Sequence, residues 1–392
     1  MADVYIGDDV LRNILTRLPG KPLLRFRCVS KHWNRVISDP YFMKSRSRRM
    51  ILLSHTRPLV VIDDNVPTED EGHSMVRIPS PLLHEKGTHV MIVGTLNGIV
   101  VLALHDTSLR CHLILYNPLT CASKILVAMD PPCSYPYILG MDPPSSGYPY
   151  VFGFDTDDLK IVRIKFVPGA SHMNSSKIFR IKPDKLYEYD VFDLKTSSWS
   201  KPQELLQDFY LAGDAGIFLR GWLYWSALFD DGGILALDVK EMFFSKVILP
   251  VSHQEYVGLV LGSLDGCLSI SYTESDSLNT FHVWMLDEEH SWLKAHSFTF
   301  GPEDIPNEFY PFYILGDGSG KIIVRNDSYQ LVIYDTSKDS YKTLKGLATV
   351  DDSMSIDWIN GFNNLVFHMD YPLVYSRPID YVESLLSPSH MC

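Results

Sequence analysis

Leu115-Tyr116-Asn117-Pro118-Leu119-Thr120 reads as the end of a strand entering a turn: apolar residues, then Asn, then proline and a small polar residue. Aliphatic and aromatic side chains favour the pleated surface, and Asn, Asp and Pro favour turns. The same order returns at Val191-Phe192-Asp193-Leu194-Lys195-Thr196, Ala236-Leu237-Asp238-Val239-Lys240, Met285-Leu286-Asp287-Glu288-Glu289 and Ile333-Tyr334-Asp335-Thr336-Ser337. Counted on from Asn117, the marker recurs after 76, 45, 49 and 48 residues. A weaker copy, Val60-Val61-Ile62-Asp63, lies 54 residues before it.

A second marker precedes the first. Tight apolar hairpins are expected at Thr95-Leu96-Asn97-Gly98-Ile99, Phe154-Asp155-Thr156-Asp157-Asp158, Phe218-Leu219-Arg220-Gly221-Trp222 and Gly262-Ser263-Leu264-Asp265-Gly266. Two more fall at Gly316-Asp317-Gly318-Ser319-Gly320 and Asn360-Gly361-Phe362-Asn363-Asn364. Asn-Gly and Asp-Gly accept the positive φ angles of a two-residue hairpin turn. Two hairpins per unit make four strands, and four strands repeating every 45–50 residues or so indicate a β-propeller. The count gives six blades; repeat boundaries leave seven open. The last hairpin, near Asn364, lacks an outer partner, and the first outer hairpin, residues 51–63, lacks an inner one. The two ends are therefore expected to share a blade and close the ring. The stretch 130–149, rich in proline and tyrosine, reads as a surface insertion.

Charge divides the chain. The whole carries 35 basic and 47 acidic residues, a formal −12, which argues against a general nucleic-acid binder. Residues 1–50 alone hold eleven basic and four acidic residues, so they are +7 and the remainder is −19. Two modules with different partners are implied. In the first, Val10, Leu11, Ile14, Leu15 and Leu18 form one apolar stripe at helical period, with Asp8 and Asp9 in the first turn. Pro19-Gly20 is expected to end that helix, Pro22 to open a second, and Ser30 to cap a third carrying Trp33, Val36 and Ile37. Three short helices in about 45 residues bury little surface alone, so size already implies a partner.

The run Leu11-Arg12-Asn13-Ile14-Leu15-Thr16-Arg17-Leu18-Pro19-Gly20-Lys21-Pro22-Leu23-Leu24-Arg25-Phe26-Arg27-Cys28-Val29-Ser30-Lys31-His32-Trp33 resembles the F-box of plant F-box proteins. Ile6-Gly7 stands where that family usually has Leu-Pro, and Pro22 where it has Ser or Thr. The rest is similar to the F-box-associated domain, through Gly94-Thr95-Leu96-Asn97-Gly98, Tyr116-Asn117-Pro118, Gly153-Phe154-Asp155, Lys160-Ile161-Val162-Arg163 and Tyr381-Val382-Glu383-Ser384-Leu385-Leu386. Plant F-box proteins of the disease-resistance-regulating and S-locus types are similar. The resemblance implies an α+β multi-domain chain: a three-helix F-box over 1–45, a basic linker over 46–50, and an all-β propeller over 51–388. It further implies that the F-box docks on a Skp-type adaptor, through it on a cullin and a RING protein, and that the propeller holds a protein substrate for ubiquitination. Val10, Leu11, Ile14, Leu15, Leu18, Pro19, Val29 and Trp33 are then the expected apolar contacts, with Arg27 and Lys31 as polar ones. Ubiquitin transfer by this arrangement works through proximity and asks for no catalytic residue or cofactor in the receptor.

Other chemistry finds little support. Gly316-Asp317-Gly318-Ser319-Gly320-Lys321 misses the spacing of phosphate-binding loops. Asp155, Asp157 and Asp158 lack the glycine and terminal Glu of a calcium loop and read as a turn. His105, Cys111 and His112 read as scattered residues rather than a metal set, so no metal site is expected. The six cysteines include no C-x-x-C pair, the N-terminus has no secretory pattern, and no apolar run approaches the roughly 20 residues of a membrane span. A cytoplasmic or nuclear protein is expected. The competing classes are a glycan-binding or enzymatic propeller with a helical appendage and, within the F-box class, a pollen self-incompatibility factor binding a ribonuclease.

Overall fold

The computed structural model describes residues 7–18, 20–39, 41–42, 50–53, 59–63, 75–78, 89–105, 110–129, 150–167, 186–206, 209–211, 215–228, 233–252, 255–276, 280–299, 309–314, 321–326, 331–335, 340–343, 379–381, 383–385 and 387–391. Three helices come first: α1 (Asp8–Thr16), α2 (Gly20–Phe26) and α3 (Lys31–Ile37). Asp8 and Asp9 occupy the first turn of α1, and the Ser30 hydroxyl accepts the Trp33 N–H at 3.1 Å to cap α3. Gly7, the N-cap of α1, sits at φ −59°, a proline-like backbone, although the residue is glycine. One boundary differs from expectation. Gly20 opens α2 rather than closing α1, and Pro22 sits inside the first turn of α2. Proline is tolerated there because the first N–H groups of a helix have no intrahelical partner.

The described strands form six antiparallel sheets. The second is representative: His89–Leu96, Ile99–His105, Cys111–Asn117 and Ala122–Met129 pair in sequence order. The third is built on Tyr150–Asp155, Lys160–Val167 and Leu186–Asp193, the fourth on Ile217–Leu219, Trp222–Leu228, Gly233–Asp238 and Phe243–Val247. The fifth runs from Tyr256–Leu264 to Trp292–Thr299, and the sixth from Phe309–Ile314 to Ser340–Thr343. Neighbouring sheets meet through their first strands, from the first sheet to the sixth in order. The apolar cores lie between sheets. Met91, Val101 and Leu115 of the second pack with Phe152, Phe154 and Ile161 of the third, and Leu223, Trp225 and Leu235 of the fourth with Val162 and Tyr187 of the third. Twisted sheets in radial order, each burying a face against the next, make the propeller.

Two kinds of turn repeat. Asn97-Gly98, Arg220-Gly221 and Asp265-Gly266 all have both φ values positive, the geometry a two-residue hairpin needs to match strand twist. At the other kind, an Asx side chain folds the chain over itself. Asn117 Oδ1 accepts the N–H groups of Leu119 and Thr120, Asp193 Oδ1 those of Lys195 and Thr196, and Asp238 Oδ1 those of Lys240 and Glu241. Asp155 does the same with Asp157 and Asp158, so this acidic cluster is a hairpin turn.

The first sheet joins the two ends of the chain. Its order is Ile379–Tyr381, Met50–Leu53, Leu59–Asp63, Met75–Ile78, with Met50 opposite Tyr381 and Leu52 opposite Ile379. Among the described residues this is one C-terminal strand with three N-terminal ones; the outer hairpin expected over 51–63 is Met50–Leu53 paired with Leu59–Asp63. The extra outer strand is Met75–Ile78, too short to register as a repeat unit in the sequence. The hairpins expected around 316–320 and 360–364 and the insertion over 130–149 lie outside the described residues.

Candidate functional site

The helical module has a complete core of its own. Leu11, Leu15, Leu23, Val36, Ile37 and Phe42 are buried together, with Leu18, Leu24, Phe26 and Trp33 against them. An ion pair ties α1 to the residues just after α3, Arg12 Nη2 to Asp39 Oδ2 at 2.6 Å, and His32 Nε2 of α3 lies 3.1 Å from Asp8 Oδ1 of α1. The Arg12 hydrogen bond, helped by the Tyr41 N–H, holds the Asp39 carboxyl below the usual carboxylate range.

This core divides the expected contact residues. Val10, Ile14 and Val29 are 57%, 50% and 59% exposed. Leu11 and Leu15 are 1% and 0% exposed, so in this structure both belong to the core. Positions 10 and 14 lie one turn apart on the outer side of α1, whereas 11 and 15 lie one turn apart on the inner side. A broad apolar stripe cannot say in sequence how it will be shared between core and partner. Leu18 is half-buried in the same core, and Trp33 is half-buried edge-on to Phe26, ring centroids 5.5 Å apart. Lys31 is exposed, and Arg27 Nε donates to Asn34 Oδ1 at 3.0 Å. Pro19 lies outside the described residues. Sequence reasoning passed over Tyr41, which is exposed beside buried Phe42. The alternation Tyr41-Phe42 after Asp39-Pro40 was the available signal.

The module also shares its core with the propeller. Leu119, in the turn of the second sheet, is buried with Leu11 and Leu15, and Leu385 of the C-terminal tail packs there too. Asn117, 0% exposed, donates from Nδ2 to the Ser384 carbonyl at 2.9 Å. A Cβ placed on Gly20 would stand 2.6 Å from the Glu383 carboxylate oxygens, so the tail lies directly on α2. Beyond it, the short 3-10 helix Pro388–Met391 rests on the second sheet. Among the described residues, no group of three or more His, Cys, Asp or Glu side chains is placed to hold a metal ion, and no helix is long and apolar enough to cross a membrane.

A three-helix module with an exposed apolar face, seated on a propeller closed through both chain ends, matches known families at both parts. Residues 6–45 match the F-box domain, and residues 48–387 match the F-box associated beta propeller domain. The chain belongs to the F-box proteins. F-box protein CPR1 of Arabidopsis thaliana is 27% identical over 381 residues, covering 86% of this chain and 83% of its own length. F-box only protein 8 of the same plant is 46% identical over 54 residues, 14% of this chain and 17% of its own. Among solved structures, TolB from Acinetobacter baumannii covers 79% of this chain and 68% of its own at 12% identity, with a TM-score of 0.43. The F-box domain binds a Skp-type adaptor, and members of the family serve as substrate adaptors in SCF complexes.

Proposed function

We infer that this F-box protein is the substrate-recognition subunit of an SCF-type ubiquitin ligase. The F-box docks on a Skp-type adaptor, which links it to a cullin and a RING protein, and the propeller binds a target protein. It acts by raising the effective concentration of target lysines near a charged ubiquitin-conjugating enzyme, and contributes no reacting group itself. The reading implies work in the cytoplasm or nucleus. The observation that carries it is the exposure of Val10, Ile14 and Val29 on a module whose own core is already filled. Isolated exposed apolar residues are ordinary, but three on a module of this size, matched to an adaptor-binding domain, support a contact face.

The test separates surface from core. Val10→Asp and Ile14→Asp each place an unpaired charge in an apolar contact, at a cost of several kcal/mol. A loss of about 4 kcal/mol is roughly a thousandfold in affinity. Calorimetry with purified adaptor should show that loss while the melting temperature stays within about 2 °C, since neither side chain is in the core. Leu15→Asp should instead melt the helices. Full adaptor affinity in both Val10→Asp and Ile14→Asp would remove the docking assignment.

A further inference from the structure

The turn series contains one odd member. Asp193 and Asp238 end the third strands of their sheets and hold the following turn through Oδ1; in the second sheet the residue in this place is Asn117. The turn itself does not require the amide, because a carboxylate oxygen accepts the same two N–H groups. What requires it is the other end of the side chain. Asn117 Nδ2 donates to Ser384 O across 267 residues of sequence, in a fully buried position. A carboxylate there would set an oxygen against the Ser384 carbonyl oxygen and lose this hydrogen bond.

We propose that Asn117 is a positioning residue: it pins the C-terminal tail so that residues 383–385 clamp the F-box onto the propeller, and target lysines are presented to the ligase from one orientation. This rests on the ligase reading above. The clamp has three contacts besides the pin. Leu385 enters the helical core, Leu119 of the pinned turn enters it from the propeller side, and the Glu383 carboxylate lies on Gly20, where an added Cβ would stand 2.6 Å from it and displace it. Proximity catalysis gains most when orientation is restricted, and a receptor whose two modules share a core has that restriction built in.

Asn117→Asp tests the pin, since it keeps the Oδ1 acceptor of the turn and replaces the Nδ2 donor by a carboxylate oxygen. Asp238→Asn is the control, the same exchange reversed in a turn that holds no tail. Hydrogen exchange on the full chain should show about tenfold faster exchange in α1, α2 and residues 383–391 for Asn117→Asp, and none for the control. Leu385→Ser, which leaves the turn untouched, should open the same segments and decides the matter if Asn117→Asp fails to fold. In reconstituted ligase with adaptor, self-modification of propeller lysines should spread from a narrow set to a broad one in both variants. Unchanged exchange in both, equal changes in the control, or faster exchange with an unaltered lysine set would each overturn the proposal. A wild-type chain that fails to bind adaptor would sink the ligase reading alone, because exchange on the free chain still judges the pin.

Discussion

The Asx turns show how much one atom decides. In each, Oδ1 accepts two backbone N–H groups, but the second terminal atom meets different surroundings. Asn117 spends its amide on Ser384. Asp155 is 1% exposed, and its Oδ2 is buried without a hydrogen-bond donor. Burial is the largest influence on this carboxyl and pushes its pKa up, against the two N–H groups that pull it down. The native state therefore holds this proton more tightly than the unfolded chain does. The corresponding stability is fully present below the unfolded value, about 4, and is lost as pH rises through the native pKa. Asp155→Asn keeps the Oδ1 acceptor and removes the charge. It should melt higher than wild type at pH 7, with the difference shrinking towards pH 4; a lower melting temperature at both pH values would show that the buried charge is not the cost. The turn at 155 was legible from Asp and its polar neighbours, because turn chemistry is local. The stranded Oδ2 was not, because it depends on what the neighbouring sheets bury.

At the scale of elements, the same contrast separates pattern from partner. The hairpin at 218–222 was plain in its Arg-Gly turn between apolar residues, but not that Trp225 in the strand after it would act as a wedge. Its indole N–H donates to Phe152 O at 2.9 Å, and the Gly216 N–H reaches the same carbonyl at 2.6 Å. The ring lies so close to the third sheet that a Cβ on Gly153 would stand 2.6 Å from Trp225 Cζ2 and 2.9 Å from Leu223 Cδ2. Gly153→Ala should therefore cost about 1–3 kcal/mol by overpacking. In a Trp225→Phe background the clash with Cζ2 is gone, and the same change should cost less. Urea unfolding of the four proteins measures the coupling, and strictly additive costs would refute the contact. The stripe of α1 tells a like story. Period 3.6 located it, yet Leu11 and Leu15 turned inward because α2, α3 and Leu119 already surround that side.

For the whole molecule, repeat spacing revealed the architecture because every sheet must turn twice in the same way. Closure was only half legible: the meeting of the chain ends follows from counting hairpins, whereas the one-plus-three division depends on a four-residue strand, Met75–Ile78, with no marker of its own. A chain beginning at residue 66 lacks the two strands between Met75–Ile78 and Ile379–Tyr381, and both then present unpaired edges. It should aggregate on size-exclusion chromatography under conditions where a chain beginning at 48 remains monomeric; equal behaviour would mean that residues 50–63 are dispensable to the ring. The same division governs synthesis. Met50–Leu53 is made long before its inner partner Ile379–Tyr381 and the tail beside the F-box, which follow 326 residues later (379 − 53). At about 5–20 residues per second, the open edge waits roughly 15–65 s for its partner. The F-box helices can therefore fold before the propeller is shut, and a chain cut short before residue 379 would carry a folded F-box on a ring left unfastened at Met50–Leu53.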